Sequence, residues 1–261
     1  MKVMILCGGQ GTRLREMTEI RPKPMVEIGG RPILWHIMKY YAHHGMREFI
    51  LCLGYKGNVI REYFLNYEMM NSDFTLELGK TKSIQVHGDV HGEEGWKITF
   101  VETGETTFTG ARVKRASRYL DPGETFGLTY GDGVSNVDLK AALAFHRAHG
   151  KAATLTGVRP PGRFGELRQE KGRVVEFEEK PQMAQGLING GFFFLEPGFL
   201  KYLSDKPDCS MEGEPIKRCA SDGQLFVYEH SDYWQCMDTM RDWDSLERQW
   251  QTGKAPWKVW K

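Results

Sequence analysis

The chain has 261 residues, 40% hydrophobic and 26% charged, with a formal net charge of +1. That length suits one large α/β domain or two small ones with a sizeable core. A near-neutral balance without a basic stripe argues against nucleic acid as a partner, and no apolar run approaches the roughly 18 residues of a membrane-spanning helix.

In chain order, 2–6 (KVMIL) reads as a buried strand. Its apolar run is shorter than the roughly 7–15 residues of a signal-peptide core, so the chain is expected to be cytoplasmic. Residues 31–45 carry apolar side chains at helical spacing and end on Gly45, a suitable C-cap. Residues 47–54 form another apolar run ending in glycine, and 57–68 is helical again. Strand, helix, strand, helix is the βαβ pattern of a parallel sheet. Residues 69–95 break it: polar, Gly-rich and without a clear period, they read as a flap. Then follow a strand at 96–103, a helix at 109–120, a strand at 124–133, a helix at 138–150 and a strand at 151–158. Residues 165–181 read as a hairpin on a Lys-Gly turn and 188–197 as a strand after a double glycine. Helices near 197–204 and 212–222, a last strand at 224–230 and a last helix at 239–251 complete the chain. The expectation is one domain over 1–261, with a nucleotide-binding part at about 1–135 and a sugar-phosphate-binding part at about 136–261. The cysteines Cys7, Cys52, Cys209, Cys219 and Cys236 are odd in number and lack a CxxC pair. They read as reduced, mostly buried thiols.

The stretch between the first strand and the first long helix carries the chemistry. Residues 8–14 read GGQGTRL. A glycine turn directly after a first strand lets backbone N–H groups point at anions. It is not a dinucleotide fingerprint, because Leu14 stands where the third glycine belongs, and it is not a Walker A loop. By itself it is also an ordinary tight turn. Arg13 adds a bidentate anion binder. In RPKPM (21–25), Pro22 and Pro24 flank Lys23 and stiffen its backbone, which suits a fixed point charge for phosphate.

Together, GGQGTRL and RPKPMVEIGGRPIL (21–34) resemble the sugar-1-phosphate nucleotidyltransferases, and the resemblance runs over the whole chain. Further stretches, TYGDGV (129–134), PPGRFGEL (160–167), INGGFFF (188–194), WQCMDTMRD (234–242) and GKAPWKVW (253–260), narrow it to members that use CTP and glucose 1-phosphate. The resemblance implies an α/β, Rossmann-like nucleotidyltransferase fold with a mostly parallel mixed sheet flanked by helices and a smaller sugar-binding lobe. It also implies Mg²⁺ as cofactor and a homo-oligomer, a hexamer among the options. For the nucleotide it implies contacts from Leu6, Cys7, Gly8, Gly9, Gln10, Gly11, Thr12, Arg13, Lys23, Thr109, Gly110, Arg112, Gly131 and Asp132. Cys7 stands where alanine is commoner, a small-for-small change. For the sugar phosphate it implies Glu179, Lys180, Asn189, Gly190 and Gly191. Arg13, Lys23 and Lys180 are the implied catalytic cations, and Asp132 and Asp238 the implied metal ligands.

Each of these residues has a plainer reading. Asp132 in YGDG is also a turn aspartate, Asp238 also a helix N-cap, FEEKP (177–181) also a charged turn, and NGG (189–191) also a bulge beside a strand. His87 with His91 and His146 with His149 have metal-ligand spacing but lie in a loop and on a solvated-looking helix. Trp243, Trp250, Trp257 and Trp260 read first as core and second as a subunit interface, for which the 69–95 flap is another candidate. A thymidylyl- or uridylyltransferase keeps the same chemistry with another base. A non-catalytic relative is disfavoured by the retention of Arg13, Lys23, Asp132 and Asp238, and a glycosyltransferase is set aside on the expectation that the chain holds no DxD metal motif.

Overall fold

Val3, Ile5 and Cys7 leave the first strand on one face and Met4 and Leu6 on the other, and all five are buried. A strand apolar on both faces needs cover on both faces, the condition of a parallel sheet between helical layers. The structure, a computed structural model, describes all residues except 12–13, 80–82, 88–92, 94, 160–165, 171–172, 179–185 and 261.

The first half runs β1 (Lys2–Leu6), a short α1 (Arg15–Thr18), the two-residue arms β2 (Glu27–Ile28) and β3 (Arg31–Pro32), α2 (Ile33–His43), β4 (Glu48–Leu53), α3 (Gly57–Leu65) and α4 (Tyr67–Asn71); β1, α2, β4 and α3 are the predicted alternation, while α1, β2, β3 and the break at Asn66 that opens α4 were not foreseen. The expected flap contains an antiparallel hairpin, β5 (Asp73–Glu77) and β6 (Ser83–His87), before β7 (Lys97–Glu102), α5 (Thr109–Ala116), β8 (Phe126–Tyr130) and β9 (Gly133–Ser135). The second half follows with α6 (Leu139–His149), β10 (Ala153–Val158), β11 (Glu166–Glu170), β12 (Arg173–Glu178), β13 (Ile188–Leu195), α7 (Glu214–Ser221), β14 (Leu225–His230), β15 (Trp234–Cys236) and α8 (Met240–Gln251). The segment read as a helix near 197–204 is a 3-10 turn over Pro197–Tyr202.

Seven strands form one sheet in the order β14-β10-β13-β8-β1-β4-β7. β13 runs antiparallel to both neighbours, and the other pairings are parallel. Strands from both halves of the sequence therefore share one sheet. Leu34, Ile37 and Tyr41 of α2, Leu139 of α6 and Leu246 of α8 pack on the Val3–Ile5 face. Val113 and Ala116 of α5 pack on the Met4–Leu6 face.

Local signals set the ends of α6. Asp138 accepts from the backbone N–H groups of Lys140 and Ala141 at 2.9 Å each, and Gly150 takes the left-handed conformation at φ 60°. The C-terminal tryptophans pack into the core. Trp257 is fully buried and stacked beside Trp250, Trp260 meets Trp35 edge-on, and the Trp243 indole donates to the Glu27 carbonyl. The cysteines are free thiols, with Cys7, Cys52 and Cys219 buried.

Candidate active site

β1 and β8 are neighbours, so their carboxyl ends open on the same edge of the sheet, where α/β folds bind ligands. Leu6 ends β1 and Tyr130 ends β8, and the N–H of Gly131 donates to the Leu6 carbonyl at 3.1 Å. This places the glycine loop beside the YGDG turn. A cleft of about 490 Å³ lies there, lined by Leu6, Gly8, Gly9 and Gly11 from the loop, Lys23, Thr109, Arg112, Gly131, Asp132 and Asp238.

Asp132 and Asp238, distant in the chain, are brought together by a ladder the sequence analysis missed. β15 pairs antiparallel with β9, Cys236 opposite Gly133, and the Met237 N–H then donates to the Asp132 carbonyl at 2.9 Å. Asp238 is not the helix N-cap. Thr239 is, in a capping box with Asp242, whose Oδ2 also accepts from the Asp238 N–H at 3.1 Å. Asp242 corrects the expectation of no DxD motif: it opens the tripeptide Asp242-Trp243-Asp244. Its carboxylate is taken up by the cap and by Gln235, which leaves this aspartate no role as a free metal ligand.

Lys23 lies between the two aspartates. The 3-10 turn Lys23–Met25, entered from the extended Pro22, carries it into the cleft with 8% of its surface exposed. Its ammonium is 2.6 Å from Asp132 Oδ2 and 2.6 Å from Asp238 Oδ1. Burial works against the charge, but the Asp132 carboxylate and the hydrogen bonds to both aspartates raise the lysine pKa well above its ordinary value.

The two carboxylates and the Cys236 sulfur have ligating atoms within 4.8 Å of one another, the one such cluster among the described residues. Burial and the neighbouring Asp132 charge push the Cys236 thiol up, so it stays neutral. Two hard carboxylate oxygens with a protonated thiol suit Mg²⁺, which takes one or two carboxylates and fills its remaining positions with phosphate oxygens and water.

Among the other implied nucleotide contacts, Arg112 is buried and donates to the carbonyls of Gly8, Leu53, Gly104 and Glu105 and to the Thr103 hydroxyl. Thr109 donates to Glu212 at 2.5 Å. Gly110 packs against the 209–211 backbone, outside the cleft lining. Cys7 is buried beneath the loop, and Gly9 and Gln10 are exposed. Thr12 and Arg13 lie outside the described residues.

A second cavity, about 250 Å³, adjoins the first and shares Tyr130, Asp132 and Asp238 with it. Asn189, Gly190 and Gly191 line it. Gly191 has φ 83°, and a side chain there would stand 2.6 Å from the Tyr130 ring, so glycine is required for both reasons. The Asn189 amide donates to the Tyr130 hydroxyl at 3.2 Å, and the Trp234 indole to the Gly190 carbonyl at 2.7 Å. Glu179 and Lys180 lie outside the described residues.

Glu212 is a further member of the site that no sequence motif marks. Its carboxylate accepts from the hydroxyls of Tyr130, Thr109 and Ser210 at 2.6, 2.5 and 2.7 Å. Burial opposes ionisation there, but the three hydroxyl donors hold the carboxyl below its ordinary range. A single glutamate in a loop carries no periodic or motif signal. The histidine pairs are accounted for elsewhere. His146 and His149 both bond the Thr154 hydroxyl, His87 bonds Thr75, and His91 lies outside the described residues.

The nucleotidyl transferase family model matches residues 2–246. The glucose-1-phosphate cytidylyltransferase of Salmonella typhi is 51% identical over 260 residues, covering all of both chains. The probable glucose-1-phosphate cytidylyltransferase of Bacillus subtilis is 46% identical over the same span. Among solved structures, a putative glucose-1-phosphate thymidylyltransferase from Bacillus anthracis superposes with a TM-score of 0.70 at 15% identity, covering 100% of this chain and 97% of the other, which bears on the fold alone. On this agreement over its full length, the chain belongs to the nucleotidyl transferase family and groups within it with the glucose-1-phosphate cytidylyltransferases.

Proposed function

We propose that the chain transfers the CMP group of CTP to glucose 1-phosphate, releasing pyrophosphate, in a Mg²⁺-dependent cytoplasmic reaction. One observation carries the reading: Asp132, Asp238 and Tyr130 form a wall common to the cleft under the glycine loop and the cavity at Asn189–Gly191. A nucleotide in the first and a sugar in the second would meet with their phosphates at that wall. The 51% identity to the Salmonella typhi enzyme supports cytosine as the base and glucose as the sugar.

The sugar phosphate is its own nucleophile. With a second pKa near 6 it is mostly dianionic at pH 7 and needs no general base. One of its oxygens attacks the α-phosphorus in line, the bond to the β-phosphate oxygen breaks, and pyrophosphate leaves with the electron pair. The obstacle is repulsion between anions, so the protein's work is positioning and neutralisation. The glycine loop offers backbone N–H groups to the triphosphate. Arg13 and Lys23 neutralise the triphosphate and Lys180 the sugar phosphate. Asp132 and Asp238 hold the metal, which when bound supplies charge neutralisation at the phosphates.

The test is pyrophosphate release with Mg²⁺ and glucose 1-phosphate, offering CTP, UTP, dTTP, ATP and GTP separately. Strong preference for CTP is expected. Preference for dTTP or UTP would move the reading to a thymidylyl- or uridylyltransferase, and no turnover from folded protein would favour a non-catalytic relative. Lys23→Ala and Asp132→Ala are each expected to remove most turnover with the fold intact.

We also infer a homo-oligomer of this chain. Phe74, Leu76, Ile84 and Val86 share one half-exposed face of the β5–β6 hairpin, beside a groove of about 580 Å³ that includes Phe64, Leu65 and Trp96. A two-stranded hairpin has little stability of its own in water, and a second copy would cover that face. Light scattering that finds a monomer at working concentration would overturn this.

A further inference from the structure

The Lys23 ammonium stands 2.6 Å from an oxygen of Asp132 and 2.6 Å from an oxygen of Asp238, the carboxylates of the cluster suited to a divalent ion. An ion such as Mg²⁺ bonds carboxylate oxygens at about 2.0–2.1 Å. Both cations cannot draw on the same two oxygens at these distances without coming into close mutual repulsion. Each carboxylate keeps its other oxygen, but a divalent ion bridging the pair there would still face the ammonium at close range, so metal entry is opposed while the lysine head stays.

Its main chain cannot follow easily. Pro22 and Pro24 flank it, the turn is 3-10, and the stem packs against Gly11, where an added Cβ would lie 3.1 Å from Lys23 Cβ. The side chain must swing into the cleft, and a buried ammonium that leaves one anion needs another. Among the described residues lining that cleft, Asp132 and Asp238 are the only carboxylates. The described lining offers the ammonium no other anion, and a polyphosphate in the glycine-loop cleft provides one.

We propose that Lys23 is a place-holder for the metal. It holds Asp132 and Asp238 together in the nucleotide-free chain and yields them to a divalent cation only when a polyphosphate enters, so metal and nucleotide bind together instead of metal first. The inference rests on reading the cleft as the site of a metal-bearing nucleotide. It gives Lys23 two successive partners, the aspartates and then the phosphates. It also predicts a latent site. Without the lysine, two carboxylates lose their shared counter-ion and recruit a free cation in its place.

The experiment measures Mn²⁺ binding, by the loss of the free-ion electron paramagnetic resonance signal, to nucleotide-free wild type, Lys23→Met and Lys23→Met/Asp132→Asn. Circular dichroism checks each fold. Lys23→Met is expected to bind one Mn²⁺ at least tenfold more tightly than wild type and to lose that gain when Asp132→Asn is added. Mn²⁺ is also expected to raise the melting temperature of Lys23→Met and to leave that of wild type unchanged. Equal Mn²⁺ affinity in wild type and Lys23→Met would overturn the place-holder. So would tight Mn²⁺ binding to wild type alone, a result that needs no variant to fold. A chain with the expected Mn²⁺ pattern but no turnover with any nucleotide would unseat the proposed reaction and leave the place-holder standing.

Discussion

Arg112 donates to the carbonyl of Gly8 at 3.0 Å, joining helix α5 to the floor of the glycine loop. The same guanidinium holds the Leu53, Gly104 and Glu105 carbonyls and the Thr103 hydroxyl, and the Gly8 carbonyl takes a second bond from the Tyr55 N–H. A Cβ on Gly8 would fall 2.1 Å from Arg112 Nη1. Arg112→Lys cannot reproduce a fork that reaches five acceptors. It should lower stability by about 2–3 kcal/mol, because buried carbonyls lose their donors. Urea midpoints and the KM for CTP separate two roles. A residue that only touched the base would change KM and leave the midpoint in place. We expect both to move, and Gly8→Ala to behave the same way.

Glu212 couples the two cavities. Its oxygens fix the Thr109 hydroxyl in the cleft under the glycine loop and the Tyr130 hydroxyl on the shared wall. Glu212→Gln puts an amide N–H₂ where one of three donating hydroxyls expects an acceptor. The stability cost should be about 1 kcal/mol. The KM values for CTP and glucose 1-phosphate should both rise, while Tyr130→Phe should act chiefly on the sugar through Asn189. Unchanged kinetics in Glu212→Gln would reduce the residue to a structural tie.

The framework was legible in the sequence because its strands are short, doubly buried apolar runs. Lys2–Leu6 and Glu48–Leu53 stand out from the helices between them, and glycines close their turns. The hairpin was not. Phe74 and Leu76 alternate with polar residues, as do Ile84 and Val86, but each strand has five residues and the surrounding stretch is polar. At the site, the glycine loop, Lys23, Asp132 and Asp238 were reached through motifs. What positions them was not, because β9 and β15 are three residues each, too short for a period. The link from Asp132 to Asp238 is a pairing between distant segments, and Glu212 is defined by hydroxyls from three separate stretches. Such relationships exist only once the chain is folded.

Asp242 positions Asp238 without facing the cleft. Its carboxylate accepts from the N–H groups of Asp238 and Thr239 and from the Thr239 hydroxyl. Thr239→Val should remove half of the capping box and cost about 1 kcal/mol, read from thermal unfolding. Asp242→Ala should cost a similar amount and also free the Asp238 backbone. The Mg²⁺ concentration for half-maximal rate should therefore rise in Asp242→Ala and change little in Thr239→Val. Equal shifts in the two variants would mean that helix stability alone, not the hold on Asp238, governs the metal ligand.

His36 makes the core acid-sensitive. Its ring is fully buried, with Nε2 2.8 Å from the Ile28 carbonyl and Nδ1 accepting from the Trp257 indole at 3.4 Å. That network assigns the proton to Nε2 and leaves Nδ1 as acceptor. A second proton on Nδ1 would face the indole N–H. Burial is the main cause that lowers the pKa from 6.5 to about 4. Because the folded value lies below the unfolded one, the unfolded chain takes up the proton first. The contribution to stability is fully present above about pH 6.5 and is lost as pH falls towards about 4, at up to about 1.4 kcal/mol per unit. Between pH 7 and pH 5 His36 should cost the fold about 2 kcal/mol. Urea unfolding followed by tryptophan fluorescence is a direct readout, since Trp250 and Trp257 lie against the ring. His44 and His146, whose pKa values burial also lowers, add their own acid dependence. The decisive comparison is therefore His36→Gln, which keeps polar atoms near Ile28 and Trp257 but cannot titrate. Its loss of stability between pH 7 and pH 5 should be smaller than wild type's by about 2 kcal/mol, and an equal loss would remove His36 as the cause.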